Sequence, residues 1–95
     1  MLVVISAAPE AGPQLQEALE AASMAAAFGL DVHIALLGAA RRWLDAPLED
    51  YSPESVRDFG VAEIYALDAD HPAAQRIDAP AMQQLLSTQH PVLSF

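Results

Sequence analysis

The sequence predicts an α/β domain: a three-layer α/β/α sandwich with a mostly parallel sheet of four to five strands, spanning residues 1–95 as a single domain. Three observations carry this expectation. Short runs rich in Val, Ile and Leu, "LVVIS", "DVHIALL" and "VAEIYAL", read as strands buried on both faces rather than on one. Segments with helix start and stop signals separate those runs. The stretch between the first two runs, residues 7–30, is long enough for a helical crossover between parallel neighbours.

The first strand is expected over residues 2–6. The loop "AAPEAG" then leads to Pro13, suited to a first helical position, where its missing N–H is no loss. Strong helix formers fill "PQLQEALEAASMAAAFG", with Glu17 and Glu20 early and Gly29 placed as the C-terminal cap. "DVHIALL", residues 31–37, is the second strand. "GAARRWLDA" reads as a second, short helix limited by Pro47, and "PLEDYS" as a loop. In "SPESVRDFG", Ser52 is a cap, Pro53 takes the first position, and Val56 and Phe59 follow at helical spacing. "VAEIYAL", residues 61–67, is the third strand. "DAPAMQQLLSTQ" is the last helix, starting at Asp78 or Pro80, and "PVLSF" the final strand, with a short additional strand around Ile77. Right-handed crossovers then place helices on both faces of the sheet.

Composition narrows the function. Thirteen acidic and four basic residues give a net charge of −9, the opposite of the basic patch that phosphate backbones require, so direct nucleic-acid binding is not expected. All four basic residues are arginine, which favours forked pairing with carboxylates. The chain has no cysteine, and therefore no disulfide, persulfide or thiolate metal ligand of its own. "MLVVIS" has no basic leader, and no segment approaches the roughly 20 apolar residues of a bilayer span, so a cytoplasmic protein without membrane contact is expected. A domain this small buries only about two thirds of its unfolded surface, which favours a homo-oligomer or hetero-oligomer. Alanine accounts for 20 of the 95 residues. The stripe Ala18, Ala21, Ala22, Ala25 and Ala26 permits close approach to the sheet or to another chain's helix.

Ligand sites of parallel sheets lie beyond the carboxyl ends of the strands, which selects the loops Ala7–Gly12, Gly38–Arg42 and Asp68–Gln75. Arg41 and Arg42 sit near the start of a helix, where the macrodipole opposes them. A local carboxylate, an anionic ligand or a carboxylate across a subunit boundary would compensate. Asp68, Asp70 and His71 offer donors for a divalent metal, but D-x-D-H matches no established ligand spacing. A partner-docking surface or a solvated loop are the other readings, and no metal or other cofactor is expected. His33, inside a strand, is a core or interface residue, and His90 precedes Pro91 before the last strand. Ser6 lacks the G-x-S-x-G setting of a nucleophile. No catalytic residue is assigned, and an enzyme is not expected.

Taken in order, "LVVIS", "ALEAASMAAAFGLDVHIALL", "GAARRWLDAP", "GVAEIYALDAD" and the closing "HPVLSF" resemble the DsrE/DsrF/DsrH superfamily, whose sulfur-relay members include the TusB, TusC and TusD proteins. The resemblance covers nearly all 95 residues and rests on order and spacing. "GAARRWLDAP" is similar to the family's "DGV" turn and helix, although Gly38, followed by Ala39 and Ala40, lacks the acidic residue often found before the glycine. The family's persulfide-bearing cysteine lies near the end of the third strand, a position matching Ala66 or Leu67. The resemblance thus implies a member unable to carry sulfur. It would be a non-catalytic subunit of a sulfur-relay complex, such as one serving tRNA thiolation, docking cysteine-bearing paralogues beside "DADHP". The alternative is a free-standing homo-oligomer that binds a small anionic ligand or a protein.

Overall fold

The structure is a computed structural model that describes all residues from Met1 to Phe95. Its order is β1 (Leu2–Ile5), α1 (Gln14–Ala27), β2 (His33–Leu36), a 3-10 helix (Gly38–Leu44), α2 (Pro53–Asp58), β3 (Glu63–Leu67), β4 (Gln75–Ile77), α3 (Ala79–Thr88) and β5 (Val92–Ser94). The sheet has five strands in the order β4-β3-β2-β1-β5, and every pairing is parallel. The additional strand expected around Ile77 is β4.

From β1 to β4 each new strand is laid on the same side of its predecessor, whereas β5 returns to the far edge. With right-handed crossovers, that reversal puts α3 on the face opposite the earlier helices. Side-chain packing follows this arrangement. The front face buries Val3, Ile5, Ile34, Leu36, Ile64 and Ala66 under α1, the 3-10 helix and α2. The back face carries Leu2, Val4, Ala35 and Ile77 against Met82 of α3. In α1 the buried alanines Ala18, Ala22 and Ala26 belong to the front core, so most of the small-residue stripe serves close packing within the chain.

Local signals explain most boundaries. Helix α1 ends in a Schellman motif: Leu30 donates to the Ala25 carbonyl and Gly29, at φ +94°, donates to that of Ala26. Ser52 caps α2 through a reciprocal pair with Ser55, and Asp78 caps α3 by accepting from the Ala81 N–H at 2.9 Å. Two details differ from expectation. Pro13 is the residue before the first turn of α1 rather than within it. "GAARRWL" winds as a 3-10 helix, a form frequent in short connectors. Trp43 anchors this segment: it is fully buried, and its indole N–H donates to the Tyr51 carbonyl at 2.8 Å. No helix is long and apolar enough to cross a membrane.

Candidate functional site

The loops after β1, β2 and β3 meet at the carboxyl end of the sheet, around a cleft of about 210 Å³ lined by Arg41, Arg42, Asp45, Asp70 and His71 among others. Arg41 is half-buried and spans two elements. Its Nε donates to the Gly38 carbonyl at 2.9 Å and its Nη1 to the Leu67 carbonyl at 2.7 Å, which ties the 3-10 helix to the end of β3. Arg42 is exposed and donates from Nη2 to Glu10 in the loop after β1. That hydrogen bond, with the guanidinium charge, holds the Glu10 carboxyl below its usual range. Of the three compensations open to these arginines, the fold uses a carboxylate of the same chain for Arg42 and backbone carbonyls for Arg41.

Between β3 and β4 only residues 68–74 make the crossover, far short of the dozen or more that a parallel connection usually takes. Asp68 turns the chain at φ +54°, a left-handed conformation that aspartate tolerates better than most residues, while its N–H donates to the Ile77 carbonyl at 2.8 Å. Asp70 accepts from Arg76 at 3.1 Å. His71 Nδ1 accepts the Ala73 N–H at 3.0 Å, which leaves the ring proton on Nε2, directed at Asp45 Oδ1 at 2.9 Å. Arg57 of α2 donates to the Ala73 carbonyl and fixes the far end of the loop.

The fold thus brings Arg41, Arg42, Asp70 and His71 to one cleft but gives each a different intramolecular partner. Asp68, Asp70 and His71 do not converge, and no group of three His, Asp or Glu side chains in the chain is placed to hold a metal ion. Leu67 contributes its carbonyl, as the acceptor for Arg41. Ala66 is fully buried in the front core, so its side chain offers nothing to a ligand. The arrangement is a mixed-charge surface whose cationic and imidazole groups are held in place, with the Asp68 carboxylate exposed at its margin.

A second constellation, on the back face, involves residues that the sequence does not join. His33 lies between Asp31, 3.3 Å from its Nε2, and the Tyr65 hydroxyl, 3.4 Å from its Nδ1, with the two rings nearly parallel at 7°. Burial, reinforced by the negative charges of Glu63 and Asp31, raises the Tyr65 phenol above its usual range and keeps it protonated. Tyr65 also lines a cleft of about 330 Å³ between the sheet and α3, together with Gln75, Ile77, Gln84, Leu85 and Thr88. Register is what assembles this group. His33 pairs with Glu63, so Tyr65, two residues on, points to the same side. The period-2 pattern of the two strands holds a trace of this, but only their relative alignment makes it visible.

No protein-family model matches the chain, and no curated protein matches it in sequence. Among solved structures, the crystal structure of the YchN protein from E. coli superposes with a TM-score of 0.70 at 16% identity, covering 99% of this chain and 97% of that one. YchN has a DsrE-like fold, and the likeness shows that this chain shares that fold.

Proposed function

We propose that this chain is a non-catalytic subunit of a sulfur-relay complex, which assembles with cysteine-bearing paralogues and presents the Asp68–His71 loop as a docking surface. One observation carries the reading: a DsrE-like fold in a chain with no cysteine. At the positions where the resemblance places the persulfide thiol stand Ala66, with a buried methyl group, and Leu67, whose carbonyl is engaged by Arg41. Persulfide chemistry needs a thiolate, and no other side chain in the chain supplies one. Beside those positions the polar groups are fixed by intramolecular bonds, which suits a surface that meets a partner with little rearrangement. The pairing of Arg42 with Glu10 and of Arg41 with carbonyls leaves the anionic-ligand alternative without a free cation to support it. A place in the cytoplasm belongs to the same proposal.

The test mixes the chain with a cysteine-bearing DsrE-type paralogue from the same genome and supplies a labelled sulfur donor. A stable complex should form, with label on the paralogue's thiol and none on this chain. Replacing Asp68 by asparagine, which tolerates the same left-handed backbone, and Asp70 and His71 by alanine should weaken the complex at least ~10-fold while leaving the circular dichroism spectrum unchanged. Failure to bind any such paralogue would overturn the proposal.

A further inference from the structure

We infer that the outer face of α1 and α2 is a docking surface for a cationic amphipathic helix of another protein. Its apolar part stands at the opposite end of the sheet from the Asp68–His71 loop, because α1 leads into β2 and its last turn therefore lies beside the amino ends of the strands. The surface goes beyond the proposed relay role and does not depend on it.

Exposed apolar side chains are the first argument. Six large hydrophobic residues are exposed in the chain, and four of them, Met24, Phe28, Leu30 and Phe59, gather where α1 and α2 end. An apolar cluster of this kind, rimmed by polar groups, marks an interaction site. Phe28 is the extreme case, 83% exposed at the close of a helix whose inner face is already buried through Leu15, Ala18, Leu19, Ala22 and Ala26. Ala21, Met24 and Phe28 follow one another by three and four residues, the spacing of a seam that packs against a second helix. Phe59 stands close by at the end of α2, since Gly60 next to it abuts the backbone of Ala26. At 14 residues α1 is about 21 Å long, which matches a partner helix of about four turns. Both clefts of the molecule lie elsewhere, so the face suits a helix laid along a ridge and not a small ligand.

Uncompensated acids decide what the partner is. Glu17 and Glu20 stand three residues apart on the outer side of α1, before Met24, and Glu54 and Asp58 stand four apart on α2, before Phe59. Carboxylates at these spacings are neighbours on a helix and repel one another. All four are exposed, and none forms an ion pair within the chain. Asp58 also closes α2, where the macrodipole opposes a negative charge. No Lys or Arg occurs before Arg41. Each of the four arginines is already engaged elsewhere: Arg41 by two carbonyls, Arg42 by Glu10, Arg57 by the Ala73 carbonyl and Arg76 by Asp70. Lysine or arginine on a partner helix would supply what the chain lacks, on the same outer side as the apolar seam. Charge of that sign also steers the partner toward a molecule of net charge −9.

The same charges disfavour the other occupants. Nucleic acid and anionic membranes would meet two pairs of unpaired carboxylates. A second copy in a two-fold contact of this face with itself would set Glu17, Glu20, Glu54 and Asp58 against their own counterparts with no cation between them. A purely apolar segment would leave both acidic pairs uncompensated.

Fluorescence anisotropy with a synthetic helix tests the inference, the probe being a labelled peptide of about three heptads with leucine at the a and d positions and lysine elsewhere. It should bind the chain with a Kd of about 10–100 μM and weaken as salt rises. Amide NMR shifts on binding should cluster in residues 17–31 and 54–60. The same peptide with glutamate in place of lysine should not bind. Phe28→Glu and Met24→Glu are the deciding variants, because each adds negative charge and would tighten an interaction made by charge alone. Docking on the apolar seam predicts instead a loss of at least ~10-fold in each. Glu17→Gln combined with Glu20→Gln should weaken binding about 3–10-fold and flatten its salt dependence. Gln83→Glu, on α3 at the back, should leave it within about twofold. The inference is overturned if Phe28→Glu and Met24→Glu bind as tightly as the unaltered chain, if the shifts centre on residues 38–45 and 68–71, or if no binding is seen up to about 1 mM peptide. A changed sedimentation mass of the Phe28→Glu chain alone would also overturn it, by marking the patch as a contact between copies. So would binding of the unaltered chain to phosphatidylcholine vesicles that Phe28→Glu abolishes.

Discussion

Arg41 and Arg42 are adjacent in the chain, yet one is a structural staple and the other a surface ion pair. Arg41 bonds two carbonyls from different elements in a half-buried setting, whereas Arg42 reaches Glu10 in the open. The Glu10 carboxyl should therefore titrate below the ordinary range near 4.5, and NMR of its side chain in Arg42→Gln should show it rise toward that range, the backbone hydrogen bond at Glu10 keeping part of the lowering. A lowered folded-state value means that the pair's contribution is present above the ordinary carboxylate pKa and fades as pH falls through the lowered one. The exposure of both side chains makes that contribution small and sensitive to salt. If the Glu10 titration is identical in both proteins, the pairing is not populated in solution. That the arginines require compensation is legible from their place near a helix start. That the partner is Glu10, 32 residues away, depends on how two loops meet at the sheet's carboxyl end, which no local pattern encodes.

Among the elements, α1, α2 and α3 and the strands β1, β2 and β3 follow from apolar runs and caps written in the sequence, because burial and capping are local demands. Segment 38–44 is different. Its 3-10 winding follows from the constraints of a short connector and from the burial of Trp43, neither of which propensity describes. The glycines that end α1 and α2 make the local and the tertiary contributions separable. Both have positive φ, but a Cβ on Gly29 meets nothing within 4 Å, while one on Gly60 lies 3.2 Å from the Ala26 carbonyl oxygen. Gly29→Ala should thus cost only the left-handed strain, about 1–2 kcal/mol. Gly60→Ala should cost more, roughly 2–4 kcal/mol, because α2 must also move away from α1. Denaturant unfolding of the two variants reads the difference directly. Equal costs would mean that the contact between the helix ends is looser than the structure shows.

At the scale of the whole molecule, one chain reversal organises everything else. Four strands laid in one direction collect α1, the 3-10 helix and α2 on the front. The return to β5 leaves α3 alone on the back, and this short uncharged helix cannot cover it. The lack of cysteine and the absence of charge after Asp78 are legible in the sequence, but only the topology shows how residues 79–95 divide, with α3 and Val92 on the back and Leu93 and Phe95 turned to the front. The site at the sheet's carboxyl end and the uncharged helix α3 therefore belong to different surfaces, and the proposed function uses the first. Native mass spectrometry of the assembly isolated from its own cells tests this account most directly. It should give masses containing 10.1 kDa chains together with a cysteine-bearing DsrE-type protein, which alone bears added sulfur. Masses that are multiples of 10.1 kDa and nothing else would contradict the account.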